Sequence, residues 1–290
     1  GSNGGTAERN TMLGHRAGMS IKGSNNVILG YDAAYILSGS ASGNIILGSS
    51  TGNVAASINY AIVIGDNAGY QLTGTEATAP DNVILIGYRA GRLFTSGSGN
   101  VVVGDNAFYS AGARQYNTVM GSGAMYDATT ASSNVAIGYQ SLANLTTGDS
   151  NTVIGYQAGD AMTATANTVL IGQSAGTDIN STSANGTVAI GYQAGMRHTS
   201  GAGCVYVGNA AGDHCTDGHR NVAIGEASLS GNADDDNVAV GYGALGACIG
   251  ADNVGVGTNA GNTINSGTEN TLVGYNVDVA SEDNTNNIVL

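Results

Sequence analysis

Apolar residues along this chain come in short runs, each closed by a glycine and separated from the next by small and polar residues. Residues 134–159 read NVAIGYQSLANLTTGDSNTVIGYQAG, so NVAIGYQ returns as NTVIGYQ seventeen residues later. With the closing glycine as a marker, the same phrase is found at Gly14, Gly30, Gly48, Gly65, Gly87, Gly104, Gly121, Gly138, Gly155, Gly172, Gly191, Gly208, Gly225, Gly241, Gly257 and Gly274. Successive markers are 16 to 18 residues apart, apart from 22 before Gly87 and 19 before Gly191. Self-similarity at a short fixed period is the signature of a solenoid, in which one unit cannot bury its own apolar face and must stack on its neighbours. The expected fold is all-β: a parallel β-solenoid of about 16 coils of about 17 residues each, formed as one array over residues 1–290.

The columns of the repeat set the expected inside and outside. Three residues before the marker stands a β-branched residue in every repeat (Val27, Ile45, Val101, Thr118, Val135), and one before it an aliphatic residue or Met120. Positions two apart share one face of a strand, and this pair of columns is expected to face the core. The column between them (Met12, Ile28, Ile46, Val63, Leu85, Val102, Val119) is then expected to face outward. A continuous exposed apolar stripe is unusual on a monomer, so that column is expected to form the interface of a homotrimer whose axis runs along the stack. The marker glycines, among them Gly104, Gly121, Gly138 and Gly155, are expected to align in one column, supplying a positive φ or room for the next coil. Asn stands four before the marker in eleven repeats, including Asn100, Asn117, Asn134 and Asn151. It is read as a turn residue whose amides, stacked in register, can bond one another. At about 4.8 Å per coil, sixteen coils make a stack on the order of 70 Å long. The long interval before Gly87, around Thr75–Asp81 with the only proline, Pro80, is expected to bulge outward.

Charge narrows the partners. The net charge is -13, with eight Lys and Arg in 290 residues, which leaves no phosphate-neutralising stripe and argues against nucleic acid. No apolar stretch reaches the roughly 20 residues of a spanning helix, so membrane insertion is not expected. The opening GSNGGTAERN lacks the basic start and apolar segment of a signal peptide. The chain stops at Asn287-Ile288-Val289-Leu290, the beginning of another phrase, which is read as a fragment of a longer fibre.

Candidate chemistry is sparse. Asp213, His214, Cys215, Asp217 and His219 in GDHCTDGHRN carry zinc- or iron-ligating groups. The Asp-Gly pair is an ordinary turn signal and no CxxC accompanies it, so no metal site and no cofactor are assigned. Asp234, Asp235 and Asp236 lack a calcium-loop pattern and read as a solvated acidic loop. Cys215 and Cys248 share a column two coils apart, beyond disulfide reach, and Cys204 takes the Asn column as a small buried substitute. Tyrosine often follows the marker (Tyr31, Tyr88, Tyr139, Tyr156, Tyr192, Tyr242, Tyr275), a stacking surface for carbohydrate or, the preferred reading, a half-buried ridge. Dispersed Ser and His form no nucleophile–base motif, so no enzyme is expected.

The phrases NVAIGYQSL, NTVIGYQAG, TVAIGYQAG and NVAVGYGAL resemble the head repeats of YadA-like trimeric autotransporter adhesins, and resemble still more the NTAIGYQAL-type repeats of phage tail fibres. The resemblance covers essentially the whole chain, although the adhesin repeat is typically about three residues shorter. It implies a left-handed parallel β-roll, three chains together, in a fibre of a virion tail or a bacterial cell surface. The function expected on this basis is structural and adhesive: an extracellular fibre segment that displays or provides a surface for a cell-surface glycan or protein receptor. The alternative is a ligand- or ice-binding solenoid. Such a protein would want outward threonine columns, whereas Thr11, Thr118, Thr152 and Thr271 fall in the column assigned to the core.

Overall fold

Every phrase folds as one short strand and the turn that leaves it. The computed structural model describes residues 8–37, 40–53, 58–72, 80–110, 112 and 114–290. They form two compact units, Gly1–Gly148 and Asp149–Leu290. The first holds eight three-residue strands, from Thr11–Leu13 to Val135–Ile137. The second holds eight more, from Thr152–Ile154 to Thr271–Val273, followed by Ile288–Val289. Within each unit, consecutive strands pair in parallel and in register, as in Val101↔Thr118, Val102↔Val119 and Val103↔Met120. Both units are therefore all-β parallel solenoids, one strand per coil. The 19-residue interval before Gly191 is taken up by a 3₁₀ turn, Thr182–Ala184, capped by the Ser181 side chain, which accepts from the Ser183 N–H.

The marker glycines do align. Gly104, Gly121 and Gly138 follow one another in the first unit, where the Gly121 N–H donates to Val103 and the Gly138 N–H to Met120. Gly155 and Gly172 begin an equivalent column within the second. Two constraints select glycine here. Its φ lies between +127° and +147° at all sixteen markers, a region closed to other L residues. A Cβ would also strike the carbonyl oxygen of the next marker, at 2.2 Å for Gly121 against Gly138.

The inside and outside of the strand are the reverse of the sequence expectation. The middle column is the core: Ile28, Ile46, Val63, Leu85, Val102 and Val119 are fully buried, as are Val153, Leu170 and Leu272 in the second unit. Met12, in the first coil, is 38% exposed. The flanking columns, Val101 and Val103 for example, are half-exposed. The reason lies in the asparagine. It shares the face of the middle residue, and Asn100, Asn117 and Asn134 are completely buried. At this corner the backbone N–H has no backbone acceptor, and the side chain of the previous coil supplies one. The Asn117 N–H donates to Asn100 Oδ1 at 3.0 Å, and the Asn134 N–H to Asn117 Oδ1 at 3.0 Å. Each Nδ2 also donates to a carbonyl of the next coil, Asn117 to Ala131 and Asn151 to Thr165. A buried unpartnered amide costs about 1–3 kcal/mol, so the column needs this side chain inside.

Core volume is shared between columns. Where the middle residue is Ala (Ala136, Ala223, Ala239), the residue four after the marker is Leu142, Leu229 or Leu245, each buried. Beside Val63, Leu85 and Leu170 that position is Gly69, Gly91 and Gly176, whereas Phe108 and Met125 stand there beside Val102 and Val119, and Gly195 beside Ala189, where the Tyr206 ring fills the space. A Cβ on Gly176 would meet Leu170 Cδ2 at 2.9 Å. Interiors packed this tightly tolerate neither voids nor excess. In the long interval before Gly87, residues 73–79 lie outside the described residues; Pro80, expected outward, is buried.

Gly172→Ala should lower stability by roughly 3 kcal/mol or more, through φ strain and collision with the Gly191 carbonyl. Gly186→Ala, where φ is +80° and nothing lies within 4 Å of the added carbon, should cost about 1 kcal/mol. Thermal melts followed by circular dichroism compare the two. Equal losses would remove the steric account of the marker column.

Candidate functional site

The outer face of each sheet is the largest candidate surface. It carries two aliphatic columns side by side, both half-exposed in most coils. Thr11, Thr118, Thr152 and Thr271 lie on this outer face, not in the core. The tyrosines that follow the marker are about half exposed, from 42% at Tyr88 to 56% at Tyr31, apart from Tyr275 at 76%.

The Asp213–His219 cluster is dispersed by the fold. Asp213 and His214 pair at the surface, Oδ1 to Nδ1 at 3.1 Å. His219 Nδ1 accepts the Ala202 N–H, and Asp217 accepts from Thr216 Oγ1. Cys215 points into the core. Among the described residues no three His, Cys, Asp or Glu side chains converge as metal ligands do. The acidic run is tied down rather than free: Arg220 donates to Asp236 through Nε and Nη2, both at 2.6 Å, and to Asp235. The Arg220 guanidinium holds the Asp236 carboxyl below the usual carboxylate range.

A polar cluster inside the second unit was not foreseen from the residues. Tyr206 occupies the middle column and is fully buried, with space made by Gly195 and Gly212, where a Cβ would lie 2.7 and 2.2 Å from its ring. That pairing of a large residue with two glycines was the available sequence signal. His198 packs edge-on against Tyr206. Its Nε2 lies 2.9 Å from the Gly201 carbonyl, and its Nδ1 lies 3.1 Å from the Cys215 carbonyl and 3.4 Å from Tyr206 Oη. Cys204 stands where asparagine would and does part of its work, its S–H donating to the Gly218 carbonyl at 3.1 Å. Burial pushes the Cys215 thiol up to about 12 and raises those of Cys204 and Cys248. All three are free, buried thiols, held protonated and thus poor nucleophiles.

In the first unit Arg114 is also buried, its guanidinium 5.5 Å from the Phe108 ring, and its Nε, Nη1 and Nη2 find no acceptor among the described residues. Burial lowers its pKa to about 10, which leaves it charged at neutral pH.

Among the described residues no helix is long and apolar enough to cross a membrane. Among the described residues, seventeen strands in parallel single-strand coils define a β-solenoid repeat protein. Comparison of the sequence with protein-family models and with curated proteins finds no match.

Burial lowers the His198 pKa below its ordinary value near 6.5. Between the two values the unfolded chain binds the extra proton, so stability is full above 6.5 and falls as the solution is acidified, by at most about 1.4 kcal/mol per pH unit. Melting temperatures from neutral pH down to pH about 5 should drop less in His198→Gln than in the wild type; parallel curves would show that His198 does not titrate on unfolding. Arg114→Met, which keeps the stem and removes an unpaired buried charge, should stabilise by about 1–3 kcal/mol. A lower melting temperature for this variant would show that the guanidinium is compensated.

Proposed function

We propose that this chain is a segment of a structural, adhesive fibre, on a virion tail or a bacterial cell surface, that self-associates and displays receptor contacts. The observation that carries the reading is the double aliphatic column on the outer face of each sheet. Burying a Val, Leu or Ile side chain contributes roughly 1.5–3 kcal/mol, and two such residues recur in coil after coil. A face that repeats with the coil spacing is complementary to a copy of itself, since equivalent columns meet in register. The resemblance of the repeats to trimeric adhesin heads supports the finer assignments of a left-handed roll and three chains, with a surface glycan or protein as receptor.

A second reading, an ice-binding solenoid, gains from the outward position of Thr11, Thr118, Thr152 and Thr271. It is weakened by the remaining residues of that column, which are Val or Ile, and by the aliphatic column beside it.

Light scattering coupled to size exclusion should give three times the 28.7 kDa of one chain. Val101→Lys with Val103→Lys, both on the outer face, should weaken association and preserve the β-sheet signal. Val102→Asp should unfold its neighbourhood instead, since it would place a carboxylate in the core. A monodisperse, soluble wild-type monomer would sink the self-association. Thermal hysteresis in the same sample would favour the second reading.

A further inference from the structure

One edge of the first unit carries a ladder that the fibre reading leaves unused. In the column five after the marker, consecutive coils place Tyr70, Arg92, Tyr109 and Tyr126 above one another, in the register set by Leu93 N–H to Tyr109 and Ser110 N–H to Tyr126. The Arg92 guanidinium lies between two rings, 5.4 Å from Tyr70 and 5.6 Å from Tyr109, and its Nη1 donates to Tyr109 Oη at 2.9 Å. Tyr109 and Tyr126 stack at 4.9 Å with planes 7° apart. In the same coil as Arg92, the Arg89 guanidinium sits 4.6 Å over the exposed Tyr88 ring. The second unit has nothing equivalent: its residues in this column include Asp160, Thr177 and Asp213.

Two features separate this ladder from an ordinary packed edge. The ion pairs of the described residues involve Arg16, Arg220 and two histidines, and among the described residues neither Arg89 nor Arg92 lies within 4.0 Å of a carboxylate. The Nε of each is buried without an acceptor among the described residues. In a chain of net charge -13, two guanidiniums of one coil without an ion-pair partner among the described residues form a local anion-seeking spot. The ladder also ends on an open step. The register continues from Tyr126 to Ala143 through the Asp127 N–H and the Ala143 carbonyl. Ala143 has only a methyl group to offer, so no ring covers the far face of Tyr126, which is 36% exposed.

We infer that this edge binds an acidic oligosaccharide. A pyranose ring stacks its C–H face on the uncovered side of Tyr126, as apolar sugar faces do on aromatic rings. A carboxylate-bearing sugar lies beside Arg92, two coils from Tyr126 and so about 14 Å, three coil steps, from the stacked ring, where Arg92 and Arg89 supply charge-assisted donors. The row of tyrosine hydroxyls between them offers hydrogen bonds to sugar hydroxyls. Nucleic acid fits the edge less well: the inner ring faces are closed to intercalating bases by the stack itself, and the surrounding chain repels a polyphosphate.

The inference rests on the adhesive reading and names its ligand class. The test applies the full chain to an immobilised array of uronate-bearing and sialylated oligosaccharides, their carboxyl-reduced counterparts and single-stranded oligonucleotides. The wild type should prefer carboxylated over reduced sugars by at least about tenfold, the scale of one charge-assisted contact. Arg92→Gln should abolish that preference, and Arg92→Lys should restore part of it. Tyr126→Ala should weaken carboxylated and reduced sugars alike, while Tyr242→Ala in the second unit should change neither. Circular dichroism on each variant confirms the fold. No binding to any acidic sugar, variants indistinguishable from the wild type, or preference for oligonucleotides would each overturn the assignment. Light scattering on the same samples keeps the two readings apart: a self-associating chain that binds no sugar defeats only this inference, and a monomer that binds defeats only the self-association.

Discussion

At the asparagine corners before the strands the backbone N–H finds its acceptor in a side chain and not in the backbone, and much of this fold follows from how that is resolved. The side-chain amide of the preceding coil accepts it, as Asn100 does for Asn117 and Asn237 for Asn253. Because the same amide donates to a carbonyl on its far side, one residue satisfies groups from neighbouring coils at once. Where the replacement is polar, it keeps part of the arrangement: Thr168 Oγ1 donates to Asn151 Oδ1, and the Cys204 thiol reaches the Gly218 carbonyl. Ala61 and Val83 interrupt the ladder with apolar side chains, the Ala61 N–H still donating to Asn44 Oδ1.

Putting the amide inside decides the strand. With the asparagine buried, alternation sends the middle residue to the core and its two neighbours to the surface. The coil is then so narrow that its core reduces to a few interlocking columns, and in several coils a large residue is matched by a small one nearby. Tyr206 between Gly195 and Gly212, and Leu142 opposite Ala136, are the same solution at different sizes. The marker glycine closes the system, because the carbonyl of the next coil occupies the place a side chain would take.

The same geometry shapes the surface. A core satisfied by the middle column leaves two aliphatic columns on the outer face of the strands. Surface chemistry is then confined to the turns, where residues five after the marker can differ freely between coils. The Tyr–Arg ladder of the first unit and the acidic and small residues at the same positions of the second show how one scaffold carries different surfaces along its repeats.

The repeat, its period, the parallel single-strand coils and the marker column were legible from residues alone, because each rests on local backbone demands that recur every 17 residues or so. The direction of the strand faces was not, because all three residues of a phrase such as Val101-Val102-Val103 are apolar and alternation cannot say which side is inside. The exchange of volume between Ala136 and Leu142, or Leu170 and Gly176, held that answer in the sequence, since only residues that touch need to compensate. The scattering of Asp213, His214, Cys215, Asp217 and His219, the sealed His198–Tyr206 contact and the stacking of Arg92 between Tyr70 and Tyr109 depend on which residues meet across coils. Sequence separation hides those meetings; the register of the stacked coils alone creates them.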